Sequence, residues 1–310
     1  MKWASDSLAL RVSNVLGSIG NCIAVCNEDM GSEGPKTVTI HVTGFKKFQG
    51  VSENPTETIV NNLSDYIIKK GLPAGVTLGS CTVLETAGEG ARPALYKTFE
   101  AAATNENSGS VVWLYHNTFR LFDSLESSLL NLEVPGNQPS GVNGAMLHLG
   151  VNGGAKKFAI ERQAFNEATF CCPDELGWQP LVDSLLFVCL SLLLLIPFSS
   201  VLILIYSLLA FSSFQKQPIV LDDGETTKTR QTQCSAESIC DLLKKKGFDV
   251  TLSDNAGRFV CNYVYYHSLR FAEERGHKSL FVHVPLFSKI DEETQMQFVV
   301  ALLEAISATC

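Results

Sequence analysis

Three residues of this 310-residue chain have the types and settings needed for nucleophilic catalysis. Cys261 follows the turn Asp254-Asn255-Ala256-Gly257 and falls in the first turn of a helix expected over 259–275. The free N–H groups and positive dipole end of a helix start favour thiolate over thiol. His283 stands in Phe-Val-His-Val-Pro, at the C-terminal end of an apolar strand expected over 278–284. That is the sheet edge where α/β proteins collect their active sites. Glu161 closes the extended stretch Lys-Lys-Phe-Ala-Ile-Glu just after a glycine turn. Singly, each has an ordinary explanation: a small core thiol, a hydrogen-bonded imidazole, a solvated carboxylate. Together they are nucleophile, base and orienting acid. Other chemistries lack their motifs. There is no GxSxG elbow, phosphate-binding loop or GxGxxG, and neither the cysteines nor the histidines fall at metal-ligand spacing.

The elements that must position these residues alternate between strand and helix. A β-branched run at 36–45 predicts a buried strand, and Asn54-Pro55 with Glu57 predicts a helix start, with Gly71 as its stop. A strand is expected over 77–84 and a helix over 93–103. A third strand is expected to open at Val111–Leu114 and to resume only at His148, after some 33 loop-like residues. Residues 157–161 and those just beyond are expected to be extended, and 217–233 to form a polar loop. A helix is predicted over 235–247, a short strand over 249–252 and a closing helix over 291–308. This alternation predicts right-handed βαβ units and a mostly parallel sheet covered on both faces.

Composition narrows the function further. With 24 Lys+Arg against 32 Asp+Glu and no basic block, the chain is no nucleic-acid binder by charge. Only 18% of residues are charged, because Ser184–Gln215 carries no charge at all. Ten scattered cysteines read as free thiols in a reducing compartment, which places the protein in the cytosol. Residues 1–29 make a poor secretory signal, since Asp6 precedes an apolar run broken by Asn14, Gly17, Gly20 and Asn21. They read as a dispensable leader ahead of Met30.

Four segments resemble the signature segments of the type I pyroglutamyl peptidases, especially plant-type members: VTGFKKFQGVSENP, HLGVNGGAKKFAIERQAFN, DNAGRFVCNYVYYHSLR and FVHVPLFSK. The resemblance covers 31–114, 148–180 and 216–310. It implies a single three-layer α/β/α domain acting as a cysteine omega-peptidase that removes N-terminal pyroglutamate from peptides. It implies Cys261 as nucleophile, His283 as general base and Glu161 as the third triad member. Phe45 and Phe48 are implied on the faces of the lactam ring, with Phe259 and Val260 nearby. Asn152 stands where many members have Gln. No metal or organic cofactor is implied, and a homo-oligomer is left open.

Against that family's pattern, the chain carries extra stretches at 115–147 and 181–215, which resemble translated intervening sequence. Without them and the leader, roughly 210 residues remain, an ordinary single domain. The apolar stretch 184–214 is long enough to reach a membrane. A single crossing, however, would part Glu161 from Cys261 and His283, so membrane contact is disfavoured. Two alternatives remain: a catalytically impaired, membrane-associated or unstable splice-variant-like product that keeps the family's sheet, or another cysteine amidohydrolase with a changed ring pocket.

Overall fold

A computed structural model describes residues 37–104, 144–180 and 216–309 of the chain. The expected leader, most of the first extra stretch and all of the second lie outside the described residues. Residues Thr37–Cys310 group as one compact unit. Among the described residues the strands are β1 (Val38–Phe45), β2 (Val76–Leu84), β3 (Gly144–Val151), β4 (Phe158–Glu161), β5 (Gln163–Phe165), β6 (Thr229–Gln231), β7 (Val250–Ser253) and β8 (Lys278–Val284). The α-helices among them are α1 (Pro55–Lys70), α2 (Gly88–Thr104), α3 (Ala236–Lys245), α4 (Val260–Arg275) and α5 (Glu292–Thr309).

Six strands form one sheet in the order β2-β1-β3-β8-β4-β7. The pairs β1–β2, β1–β3 and β3–β8 are parallel, as the alternation of elements predicts. β4 runs antiparallel to β8 and parallel to β7, so the last two strands are reversed. β5 and β6 make a separate antiparallel ribbon, with β6 inside the segment expected to be a polar loop. The asymmetric partners are tertiary: Arg230 binds Asp223 within that segment, and Tyr266 of α4 donates to the same Asp223.

β-branched and apolar residues alternate through the strands, so the sheet buries both faces. One face packs Ile40, Val42, Leu147, Leu280 and Val282 against α1, α3 and α5 in an apolar core. The other packs Phe45, Met146 and Phe281 against α2 and α4. The expected three layers are therefore present.

Local signals set several boundaries as read from the sequence. The Asn54 side chain accepts from the Thr56 N–H at 3.0 Å, and Gly71 ends α1 at φ 95°. Glu57 accepts from the Lys47 N–H rather than completing a capping box, which ties the loop after β1 to α1. Two boundaries move. α2 begins at Gly88, five residues before the expected Pro93, because Asp174 accepts from the Gly88 N–H at 2.8 Å across 86 residues. β3 begins at Gly144, so Gly144–Leu147 are strand residues rather than the end of an inserted stretch. They continue the alternation, with Ala145 and Leu147 in one core and Met146 in the other. The expected strand start at Val111–Leu114 lies outside the described residues.

Candidate active site

The reversed direction of β4 is what brings the carboxylate to the imidazole. Antiparallel pairing sets Glu161 opposite Phe281 and Ala159 opposite His283. Glu161 and His283 are thus diagonal neighbours on one sheet face, within reach of long side chains. The Glu161 Oε1 to His283 Nδ1 distance is 2.7 Å, and both groups are buried. With Nδ1 committed to the carboxylate, the other ring nitrogen is left for the hydrogen bond with Cys261. Tyr265, fully buried on α4, donates its hydroxyl to the Glu161 carbonyl at 2.8 Å and holds that end of β4 in place. Burial holds the Tyr265 phenol well above its ordinary pKa, so it remains a donor.

Burial by itself would lower the His283 pKa. The hydrogen bonds to Cys261 and Glu161, with the fields of those groups, outweigh it and hold the imidazolium up to about 10. A protonated imidazole between a carboxylate and a sulfur can donate a hydrogen bond to each.

Cys261 is the second residue of α4, after Phe259 as N-cap with no side-chain cap, and the helix has no acid in its first turn. The helix start is therefore uncompensated positive potential beside the sulfur. Close approach of α4 to the sheet requires a glycine beneath it. A Cβ on Gly150 of β3 would lie 2.6 Å from the Phe281 ring and 3.1 Å from the Cys261 Sγ. The Phe281 ring in turn lies 4.9 Å, centroid to centroid, from His283. Asn262 fixes the helix start from the other side. Its carboxamide accepts from the Phe165 N–H and donates to the carbonyls of Phe165 and Glu167. The turn before the helix is held by Arg258, which stacks 3.7 Å over the Phe165 ring and donates to Glu167 at 3.1 Å.

The structure therefore brings Cys261, His283 and Glu161 together. The candidate binding residues are more dispersed in their surroundings. Phe45 is buried at the end of β1, 6.4 Å from Phe281 by ring centroids. Phe48 is half-buried in the following loop, where it pairs with Val51. Phe259 is half-buried against Phe170 at 4.4 Å. The Val260 side chain is spent on the core, which leaves its backbone for any substrate. Asn152 is exposed, and its carboxamide accepts from the Gly154 N–H in its own turn. It borders a surface depression with Lys156, Lys157 and Thr251 rather than the aromatic residues. Gly150, Tyr265, Phe281 and Asn262 escaped sequence reasoning. Asn262, polar and beside the candidate nucleophile, is the only one with a local signal.

Fold and site together define a three-layer α/β/α domain that brings a thiol, an imidazole and a carboxylate into one cluster. Residues 215–305 match the sequence profile of the pyroglutamyl peptidase family, a segment that contains Cys261 and His283 but not Glu161. The sheet agrees with solved pyrrolidone carboxyl peptidases. The enzyme from the thermophilic, keratin-degrading Fervidobacterium islandicum AW-1 is 21% identical, with a TM-score of 0.58 over 88% of this chain and 100% of the other. A mutant pyrrolidone carboxyl peptidase from Pyrococcus furiosus is 21% identical, with a TM-score of 0.55 over 87% and 98%. No curated protein sequence matches the chain.

Among the described residues no disulfide joins the cysteines, no cluster of side chains could hold a metal ion, and no helix is long and apolar enough to cross a membrane.

Proposed function

We propose that this chain is a cysteine omega-peptidase that hydrolyses the amide bond after an N-terminal pyroglutamate. The observation that carries the proposal is the buried relay from Glu161 through His283 to Cys261 at an uncompensated helix start. In this reading the Cys261 sulfur attacks the carbonyl that joins the lactam ring to the next residue. The N–H groups at the start of α4 receive the developing oxyanion. His283 gives its proton to the departing amine, which leaves a pyroglutamyl thioester on Cys261. His283 then takes a proton from water, hydroxide displaces the sulfur, and free pyroglutamate leaves. Glu161 keeps the imidazole oriented and stabilises its charge throughout.

Pyroglutamate lacks a charged amine, so its recognition rests on apolar walls and a few backbone hydrogen bonds. Phe48 and Phe259, both half-buried, and the buried Phe45 are assigned to the walls. Val260 is assigned a backbone contact and Asn152 a rim position. The working peptidase is placed in the cytosol, where a reactive thiol stays reduced.

The test is hydrolysis of a fluorogenic pyroglutamyl amide by the purified full chain. Cys261→Ala is expected to lower turnover by at least about 1,000-fold while leaving the far-ultraviolet circular dichroism unchanged. Undiminished turnover in Cys261→Ala would refute the assignment.

A further inference from the structure

The segment between the ribbon strand β5 and the second extra stretch carries two adjacent cysteines, Cys171 and Cys172, that the proposed reaction does not use. Both are exposed, and their sulfurs stand 3.9 Å apart on the same side of the chain. Adjacent side chains in extended backbone point to opposite faces, so this arrangement is a local turn with two thiols already facing each other. The surroundings are built into the candidate site on both sides. Just before the pair, the buried Phe170 ring packs 4.4 Å from Phe259, the N-cap of the helix that carries Cys261. Just after it, Asp174 accepts from the Gly88 N–H that opens α2, and from the N–H groups of Leu176 and Trp178. Glu175 accepts from the Gln49 N–H at 2.8 Å, one residue beyond Phe48. The dithiol thus lies between the anchors of both proposed ring walls.

We propose that Cys171 and Cys172 are a redox modification site, a vicinal dithiol that glutathione disulfide or a similar disulfide oxidant closes into a ring, loosening the Phe48 loop. In the first step the Cys171 thiolate attacks one sulfur of glutathione disulfide, breaks its S–S bond and expels one glutathione. The Cys172 thiolate then attacks the Cys171 sulfur of the mixed disulfide and expels the second. Two protein thiols lose two electrons and two protons, and one glutathione disulfide becomes two glutathiones. Closure must shorten the sulfur separation from 3.9 Å to about 2.0 Å, within a ring that contains the peptide bond between the two residues. The backbone leading into Asp174 and Glu175 must therefore turn. An exposed, strained disulfide of this kind is readily reduced again, as a reversible modification requires.

The consequence for substrate rests on the peptidase reading above. Losing the Gln49–Glu175 hydrogen bond is worth about 0.5–1.5 kcal/mol, or roughly 2–10-fold. It acts on substrate binding rather than on the Cys261–His283 pair, so KM rises with kcat nearly unchanged.

The experiment treats the fully reduced chain with glutathione disulfide and follows it three ways. Peptide mapping is expected to find the 171–172 peptide lighter by two hydrogens and resistant to alkylation, reversibly so on adding dithiothreitol. Hydrogen exchange is expected to quicken over 46–52. KM for the pyroglutamyl amide is expected to rise by about 2–10-fold. Cys171→Ser should remove all three responses and leave the reduced enzyme's kinetics as they were. Glutathione adducts on single cysteines in place of the ring would overturn the dithiol. A closed ring with unchanged exchange at 46–52 would overturn its coupling to the loop. If the reduced chain hydrolyses no pyroglutamyl amide, the peptidase reading fails, while the peptide map and the exchange still decide the dithiol.

Discussion

The two faces of the central sheet are made by the same strands, yet they bury different kinds of residue. Toward α1, α3 and α5 the buried side chains are nearly all hydrocarbon, centred on Leu63, Leu147, Val282, Phe298 and Leu302. Toward α2 and α4 the sheet carries a polar system. Thr43 is 2.7 Å from His148 Nδ1, His148 Nε2 is 2.7 Å from Ser268, and Ser268 is 2.8 Å from Ser279. His41, His267 and His277 are buried on or beside this face, and His283 with Glu161 completes it. The dry face makes stability by area and packing. On the polar face the chain from Thr43 through His148 and Ser268 to Ser279 pairs its donors with acceptors, and that pairing orders the platform beneath Cys261.

The comparison breaks if the two faces respond alike to change. The largest effect in the sheet itself is expected on the dry face. Phe298→Ala removes a ring that is fully buried and stacks 3.6 Å from Phe158. Urea unfolding should show a loss of about 3–5 kcal/mol, with the pH profile of turnover unmoved. A loss below 1 kcal/mol would mean that this core is not close-packed.

Next comes the polar face. Glu161→Gln keeps the shape but removes the charge that helps hold the His283 imidazolium up. A charge-assisted hydrogen bond is worth about 1.5–3 kcal/mol, so kcat should fall roughly 10–100-fold. The alkaline limb of kcat/KM, which reports loss of the His283 proton, should move to lower pH. A fall in kcat with the limb in place would show that Glu161 acts on geometry alone.

The smallest effect is a slope. Burial lowers His148 to about 3 and, with Arg92 and Arg270 adding to it, lowers His267 to about 3. Below pH 6.5 the unfolded chain takes up protons that the folded chain refuses, so stability is full above pH 6.5 and falls as pH drops toward 3. Each histidine adds to that slope within the window. His283 has the opposite sign. Its folded value is raised, so its contribution is present below pH 6.5 and is lost as pH rises through about 10. Urea midpoints between pH 4 and 7 should fall less steeply for His267→Gln than for the unaltered chain. Equal slopes would mean that His267 titrates freely in the fold.

Legibility in the sequence divided along the same line. On the dry face, Ile59, Leu63 and Ile67 recur every four residues, which predicts a helix, and all three are buried against the sheet. On the polar face, helical spacing sets Val260, Val264 and Leu269 on one stripe of α4. It buries those together with Asn262, Tyr263, Tyr265, Tyr266, His267 and Ser268. Polar residues with tertiary partners look, in sequence, like a solvated helix side. The reversed β4 was equally hidden, because four residues of apolar alternation carry no direction.

By itself the sequence determined the alternation of strands and helices, the caps at Asn54 and Gly71, the helix that carries Cys261 in its first turn and the strand that ends past His283. These follow from side-chain periodicity and local backbone chemistry, which act over a few residues. Only the tertiary structure decided that β4 runs against β8, that Asp174 opens α2 and that Gly150 clears a place for the Cys261 sulfur. The 2.7 Å bond between Glu161 and His283 joins residues 122 apart in the chain. Such contacts are set by register and packing across the sheet, and no local pattern encodes them.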